Sequence, residues 1–426
     1  MELSKFGRRL TARSGILELM DDLGSALNSD TTVFMLGGGN PAHIPECNSL
    51  WRRRMSEILS NGTEFERMVA NYDTPQGKNE FLESVSSYLR SEYGWDIGPG
   101  HIAVTNGSQS AFFFLFNMLS GDMPGGGKRK ILFPLVPEYI GYADQGLDPD
   151  GFESHPALIE ELPGNRFKYH IDFESLSVGS DIGAVCVSRP TNPTGNVLTD
   201  EEVSRLIRLT KDAGIPLMID NAYGAPFPNI LFKDIHLQWE DHVILGMSLS
   251  KIGLPSVRTG IIVADPDIIK AVSAVNAIVS LSNNTIGQVI TGPLIADGSL
   301  RELSLKVVKP FYEKKSADAR LWLDEALDGI PYRIHVSEGA LFLWLWLPGL
   351  PVASMDLYER LKARKTLVIP GEYFFYGNRP DASVPDQFGR HARECIRITY
   401  AQDEAVVKEG IRIIGEEIKK IYKFYK

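Results

Sequence analysis

The reading turns on Val243-Ile244-Leu245-Gly246-Met247-Ser248-Leu249-Ser250-Lys251-Ile252-Gly253-Leu254-Pro255. An apolar run gives way to two hydroxyls, a lysine, a glycine and a proline, the pattern of a buried parallel strand ending in a loop. A lysine at that place is poorly solvated, so its charged form is disfavoured. A nucleophilic amine then becomes accessible near neutral pH and can condense with an aldehyde. The neighbouring hydroxyls and Arg258 suit an anion, most simply a phosphate. Taken alone, the same residues also fit a solvated surface turn.

Outward from this stretch, strands and helices alternate. Lys130–Pro134, Ala184–Ser188, Ile215–Asp220 and Gly260–Ala264 read as strands. Thr199-Asp200-Glu201-Glu202 is a capping box that opens a helix ending at Gly214. Near-continuous apolar strands between helices predict an α/β domain with a mostly parallel sheet covered on both faces. In such sheets ligands lie beyond the carboxyl ends of the strands. Ser108, Asn192, Asp220, Ser248 and Lys251 all fall on that rim.

Two further loops point the same way. His101–Thr105 is a strand leading through Asn106-Gly107-Ser108-Gln109-Ser110 into an apolar helix. Free N–H groups, a positive dipole end and a hydroxyl converge there on any anion, although a serine at this place is also an ordinary cap. Val33–Leu36 is a short strand entering Gly37-Gly38-Gly39-Asn40-Pro41, where the backbone can approach a ligand or merely turn. No Gly-Lys-Ser/Thr follows, which excludes a Walker loop.

At 426 residues the chain exceeds the size at which one core keeps growing, so two domains are expected. The formal charge of −10 argues against a nucleic-acid surface. Cys47, Cys186 and Cys395 are scattered and read as reduced core thiols. The eight histidines show no metal-ligand spacing, so no metal is expected. The basic N-terminus lacks an apolar segment, and the most apolar helix, Ala111 to Leu119, is about half the ~20 residues of a membrane span. A cytoplasmic protein without membrane contact is expected.

Residues 15–28 read as an amphipathic helix, and the character changes near residue 300. A helix from Leu300 to Leu327, kinked by Pro310, leads to Gly339-Ala-Leu-Phe-Leu-Trp-Leu-Trp-Leu347, a strand of a second sheet. A helix at Leu357–Ala363, a strand at Ile396–Tyr400 and a last helix from Asp403 follow, and 377–381 reads as an exposed loop. The expected division is an N-terminal arm with part of a small domain (1–45), a large domain (46–300) and a small C-terminal domain (301–426).

The ordered set Ser188-Arg189-Pro190-Thr191-Asn192-Pro193-Thr194-Gly195, Asp220-Asn221-Ala222-Tyr223, Ser248-Leu249-Ser250-Lys251, Arg258 and Arg397 resembles the fold-type I pyridoxal-phosphate aminotransferases. The resemblance runs through nearly the whole chain, including Leu36–Pro41, Asn71-Tyr72-Asp73 and Pro137–Asp144. It implies the fold-type I architecture, a large α/β domain with a smaller α+β domain, and pyridoxal 5'-phosphate as cofactor. Lys251 would carry the cofactor aldehyde and then serve as the base. Asp220 would pair with the pyridine nitrogen, and Tyr223 and Asn192 would bond the ring's phenolic oxygen. Ser108, Gln109, Ser248, Ser250 and Arg258 would surround the phosphate, and Tyr139 would stack on the ring.

Tyr72 would reach a phosphate across a dimer interface, which implies a homodimer. Arg397 would clamp the substrate carboxylate, with Arg390 a competitor for that role and Gly39 and Asn40 completing the site. The resemblance further implies amino transfer from valine, or a similar branched apolar amino acid, to pyruvate. Its rivals are a C–S β-lyase on the same scaffold and, more distantly, a regulatory protein that binds the cofactor as a ligand.

Overall fold

The computed structural model describes residues 1–12, 14–27, 32–378 and 387–425. An eight-stranded sheet forms the body. Its order is Ile102–Asn106, Thr259–Val263, Val243–Ser248, Leu217–Asp220, Ile182–Ser188 and Lys128–Val136, with Gly121–Asp122 and Phe152–Pro156 both beside the last. Thr259–Val263 runs antiparallel to both of its neighbours, while the strands from Val243–Ser248 to Phe152–Pro156 pair in parallel. Every residue of Ile182–Ser188 and of Val243–Ser248 is buried, which is why these segments read as unbroken apolar runs.

The topology carries Asn106, Ser248, Asp220 and Ser188 to one edge of this sheet. The helix Ser108–Leu119 starts at that edge and covers one face with Phe112, Leu115 and Phe116. The capping box forms as expected: Thr199 accepts from the Glu202 N–H at 3.1 Å and Glu202 accepts from the Thr199 N–H at 2.8 Å. Gly214 closes that helix in the left-handed region at φ 65°.

A second sheet of six strands runs Ile369–Pro370, Cys395–Thr399, Phe342–Trp346, Arg333–His335, Arg166–His170 and Leu158–Leu162. It draws its last two strands from the middle of the chain. Within the apolar run 339–347, only Phe342–Trp346 is strand. Ala340 has φ 60°, so the chain turns before it pairs. The helix expected from Leu300 to Leu327 is broken ahead of its proline. Ser299–Leu303 passes through a π-helical turn, Ser304–Val308, into Lys309–Ala326. Pro310 lacks an N–H and crowds the preceding turn, and the wider turn absorbs that conflict.

The expected N-terminal amphipathic helix is Gly15–Leu27, preceded by a short helix Lys5–Leu10. The side chains of Leu23, Ala26 and Leu27 lie outside the described residues, and the 377–381 loop is described only at Gly377 and Asn378, both exposed. The three cysteines are free and buried. Among the described residues no helix is long and apolar enough to cross a membrane.

A buried ion pair ties the second sheet to the first. Lys168, from Arg166–His170, donates to Glu338 and also to the Asn196 side chain at 2.9 Å and the Val197 carbonyl at 3.1 Å. Glu338 also accepts from the Val197 N–H at 3.1 Å and from Lys233 at 2.9 Å. Removing one partner of such a pair leaves the other charge buried and uncompensated. Glu338→Gln is therefore expected to cost about 3–5 kcal/mol, read as a lowered urea midpoint; an unchanged midpoint would mean the pair is not a tie between the sheets.

Candidate active site

Beyond the edge of the first sheet lies a cleft of about 240 Å³. Lys251 reaches it from the short 3₁₀ turn Ser250–Ile252, which follows Val243–Ser248 directly. Its amine donates to the Gly39 carbonyl at 2.9 Å and lies 5.5 Å from the centre of the Tyr223 ring. Burial, aided by the positive charge of Arg397, lowers the amine from its ordinary 10.5 to about 8. Among the described residues no carboxylate forms an ion pair with it.

Asp220 ends the adjacent strand and also lines the cleft. One carboxylate oxygen accepts from the Tyr142 hydroxyl, the other from the Ala222 N–H at 2.9 Å. Burial raises its pKa, and no cation pairs with it among the described residues. Tyr223 is buried against the edge of Phe342, with ring centres 5.9 Å apart, and burial raises its hydroxyl as well.

Arg397 enters from the second sheet, on Cys395–Thr399. Its guanidinium lies 4.1 Å from the Phe342 ring centre and 5.3 Å from that of Phe374. It donates to the Asn192 side-chain oxygen at 2.7 Å and to the Gly37 carbonyl at 2.6 Å, while its Nε has no partner. Burial lowers its pKa to about 10. A buried guanidinium held only by neutral acceptors is prepared for an anion.

The opposite end of the cleft is polar and cationic. The helix Ser108–Leu119 points its N-terminus there, and Ser108, Gln109, Ser248, Ser250 and Arg258 line the wall. The Ser248 hydroxyl accepts from the Ser250 N–H at 3.1 Å, and Gln109 donates its side-chain amide to the Gly141 carbonyl at 2.9 Å. Arg258 adopts φ 45° and lies against Gly107, where an added Cβ would meet a guanidinium nitrogen at 2.0 Å. Gly107 itself sits at φ 87°, a conformation that favours glycine, and a side chain there would also displace the Arg258 guanidinium. No ion pair occupies Arg258 among the described residues.

Tyr139, Gly39 and Asn40 line the cleft too. Tyr139 meets Tyr142 edge-on at 5.1 Å. Two expected residues lie elsewhere. Tyr72 is 83% exposed and outside the cleft. Arg390 is half exposed on the helix Gln387–Glu394, pairs with Glu394 at 3.1 Å and does not line the cleft.

Other residues at the site carry no legible signal in the sequence. Tyr142, which holds Asp220, stands in a turn that announces only its aromatics. Ile16, Leu19 and Met20 of the N-terminal helix form an apolar wall of the cleft. That helix is bound to the second sheet's side of the molecule, with Tyr373 donating to Glu18 and Lys362 to Asp22 at 2.8 Å. Its periodicity predicts an apolar face, not what that face covers.

Residues 47–414 match the family described as "Aminotransferase class I and II". The valine–pyruvate aminotransferase of Escherichia coli (strain K12) is 46% identical over 422 residues, covering 99% of each chain. The crystal structure of valine–pyruvate aminotransferase from Salmonella typhimurium LT2 superposes with a TM-score of 0.86 at 43% identity, covering 96% of this chain and 99% of that one. At 20% identity, the α-aminoadipate aminotransferase of Thermus thermophilus, complexed with N-(5'-phosphopyridoxyl)-L-leucine, shares the fold with a TM-score of 0.78, covering 99% of this chain and 98% of that one. With its lysine, carboxylate and arginine gathered at the edge of this sheet, the chain belongs to the class I and II aminotransferases.

Proposed function

We propose that this aminotransferase moves the amino group of valine, or a similar branched apolar amino acid, to pyruvate, giving 2-oxoisovalerate and alanine. The observation that carries the reading is a single cleft in which a lysine of lowered pKa, a carboxylate paired with no cation and a buried arginine paired with no anion among the described residues converge. The substrate pair is supported by the name of the 46%-identical relative and by the apolar wall of Ile16, Leu19, Met20 and Ile140.

Pyridoxal 5'-phosphate is the cofactor of this family, and the donor set fits it at three points. Asp220 offers a buried carboxylate to a protonated ring nitrogen. Ser108, Ser248, Ser250 and Arg258 offer hydroxyls and a guanidinium to the phosphate beside a helix N-terminus. Lys251 offers the aldehyde an amine whose lowered pKa makes the neutral, nucleophilic form far more accessible than in an ordinary lysine. When bound, the cofactor supplies a ring that accepts the electrons left at the substrate α-carbon.

The residues divide the remaining work. Lys251, the cleft's buried amine, would serve as the base that carries the proton between the substrate Cα and C4′. Tyr142 keeps Asp220 oriented, and Tyr223 and Asn192 bond the phenolic oxygen. Tyr139 covers one ring face and shields the reacting carbon from water. Arg397 binds the substrate carboxylate through its guanidinium fork, with Gly39 and Asn40 closing that end.

The active unit in this reading is a cytoplasmic homodimer of chains with an N-terminal arm and part of the small domain in 1–45, a large domain near 46–300 that lends Leu158–Leu162 and Arg166–His170 to the second sheet, and a small C-terminal domain in 301–426. Exposed Tyr72 crosses to the phosphate site of a second copy. The segments around Tyr72 and 276–285 are tied by the Asn283 amide on the Pro75 carbonyl at 2.8 Å, and they expose Val69, Ile278, Val279 and Leu281 together.

Valine added alone to the cofactor-loaded enzyme is expected to release one equivalent of 2-oxoisovalerate and stop, and pyruvate then restores the starting visible spectrum. Continuous release of ammonia would instead indicate elimination, and Lys251→Ala should lose both the spectrum and the turnover. In the cofactor-free protein the neutral Lys251 amine predominates above its lowered pKa. Labelling by an amine-reactive reagent, followed by peptide mass mapping, should therefore rise through pH of about 8 and level off, whereas an unshifted lysine responds only near 10.5. Arg397→Lys replaces a fork by a point charge and should raise KM for both valine and pyruvate by about 10–100-fold, and an unchanged KM would place the carboxylate elsewhere.

A further inference from the structure

Behind the cleft sits a second buried carboxylate to which no role has been assigned. Glu138 is 1% exposed, and no cation pairs with it among the described residues. Its Oε1 accepts from the Tyr139 N–H and from the Ser188 hydroxyl, both at 2.7 Å, and its Oε2 accepts from the Ser188 N–H at 3.0 Å. Its own N–H donates to the Phe374 carbonyl at 3.0 Å.

Each of these contacts leads to the site. Tyr139 is the ring platform, and its carbonyl accepts from the Tyr376 hydroxyl at 3.0 Å. Ser188 pairs in register with Asp220 across the two central strands. Phe374 lies beneath the Arg397 guanidinium. One side chain therefore binds the loop carrying Tyr139 and Tyr142 to the strand end beside Asp220, at the point where the two sheets meet.

Keeping an acid here is costly. Burial raises its carboxyl to about 8, and neighbouring Asp220 adds to the rise. All three partners can donate to it, and both carboxyl oxygens keep acceptor lone pairs whether or not the proton is bound, with the Ser188 hydroxyl able to accept a hydrogen bond from that proton when it is. An isosteric glutamine has only one acceptor oxygen and must turn its amide N–H₂ toward at least one of them.

We propose that Glu138 is a positioning residue for amino transfer, holding the Tyr139 ring and the Ser188 strand end in fixed relation and thereby setting the cofactor ring against Asp220. This rests on the assignment of Tyr139 as the ring platform and Asp220 as the partner of the ring nitrogen.

The test compares cofactor-loaded wild type, Glu138→Gln and Glu138→Ala. Glu138→Gln keeps shape and volume, so it remains informative should the alanine variant fail to fold. Hydrogen exchange at the Tyr139 or Ser188 amide should quicken by about tenfold or more in Glu138→Gln, as a buried donor loses its acceptor. The visible absorbance maximum should move, cofactor dissociation measured by equilibrium dialysis should rise, and kcat should fall by about 10–100-fold. KM for valine should change by less than about threefold, because Arg397 is untouched. Wild-type exchange, spectrum and kcat in Glu138→Gln would overturn the proposal, as would faster exchange with unchanged kcat or lowered kcat with unchanged exchange. Should wild-type protein itself show no visible band dependent on Lys251, the reading of the site fails instead.

Discussion

Two buried cations, Lys251 and Arg397, share one cleft with no carboxylate bonded to either among the described residues. Each charge is disfavoured by burial, and the positive charge of Arg397 further weakens the hold of Lys251 on its proton. The protein withholds the obvious remedy. Asp220 faces the same space, yet its oxygens are taken by the Tyr142 hydroxyl and the Ala222 N–H. Neutral acceptors, the Gly39 and Gly37 carbonyls and the Asn192 amide oxygen, orient the two cations without neutralising them. An anionic ligand would complete the site, and the carboxylate and phosphate of the proposed function meet that need.

The fold makes this tolerable by separating the groups onto different supports. Lys251 and Asp220 stand at the ends of neighbouring parallel strands whose own backbone bonds are complete. Arg397 comes from the second sheet, sandwiched near Phe342 and Phe374, with a strand on either side of its backbone. The polar end is built on the start of an apolar helix whose Phe112, Leu115 and Phe116 are buried in the core. The Lys168–Glu338 pair, well away from the cleft lining, is the contrasting case: there the opposite charges meet directly, and together they anchor Asn196 and Val197 of the chain that leaves the first sheet.

Much of this is legible in the chain because it is local. An apolar run followed by Ser-Leu-Ser-Lys places the lysine at a strand end, and Thr199 with Glu202 writes its own helix start. Asp220 is marked by the apolar residues before it. Other features depend on partners distant in sequence. Tyr142 meets Asp220 across 78 residues, and nothing in Ile140-Gly141-Tyr142 indicates which acid it serves. The apolar face of Gly15–Leu27 looks like any amphipathic helix until Ile16, Leu19 and Met20 are seen lining the cleft. The turn at Ala340 is hidden inside an apolar run, because hydrophobicity records burial and not φ.

The amino-acid sequence by itself determined the alternation of strands and helices, the strand-end chemistry and the family, since these follow from periodicity, capping and short ordered motifs. Tertiary structure alone shows that Arg397 is buried between two aromatic rings at the cleft while Arg390 pairs with Glu394 on the surface, although both are arginines near the same strand. It also placed the apolar wall and the buried Glu138. The reason is physical: local sequence sets backbone conformation and which face is apolar, whereas desolvation and charge pairing belong to groups brought together from far along the chain.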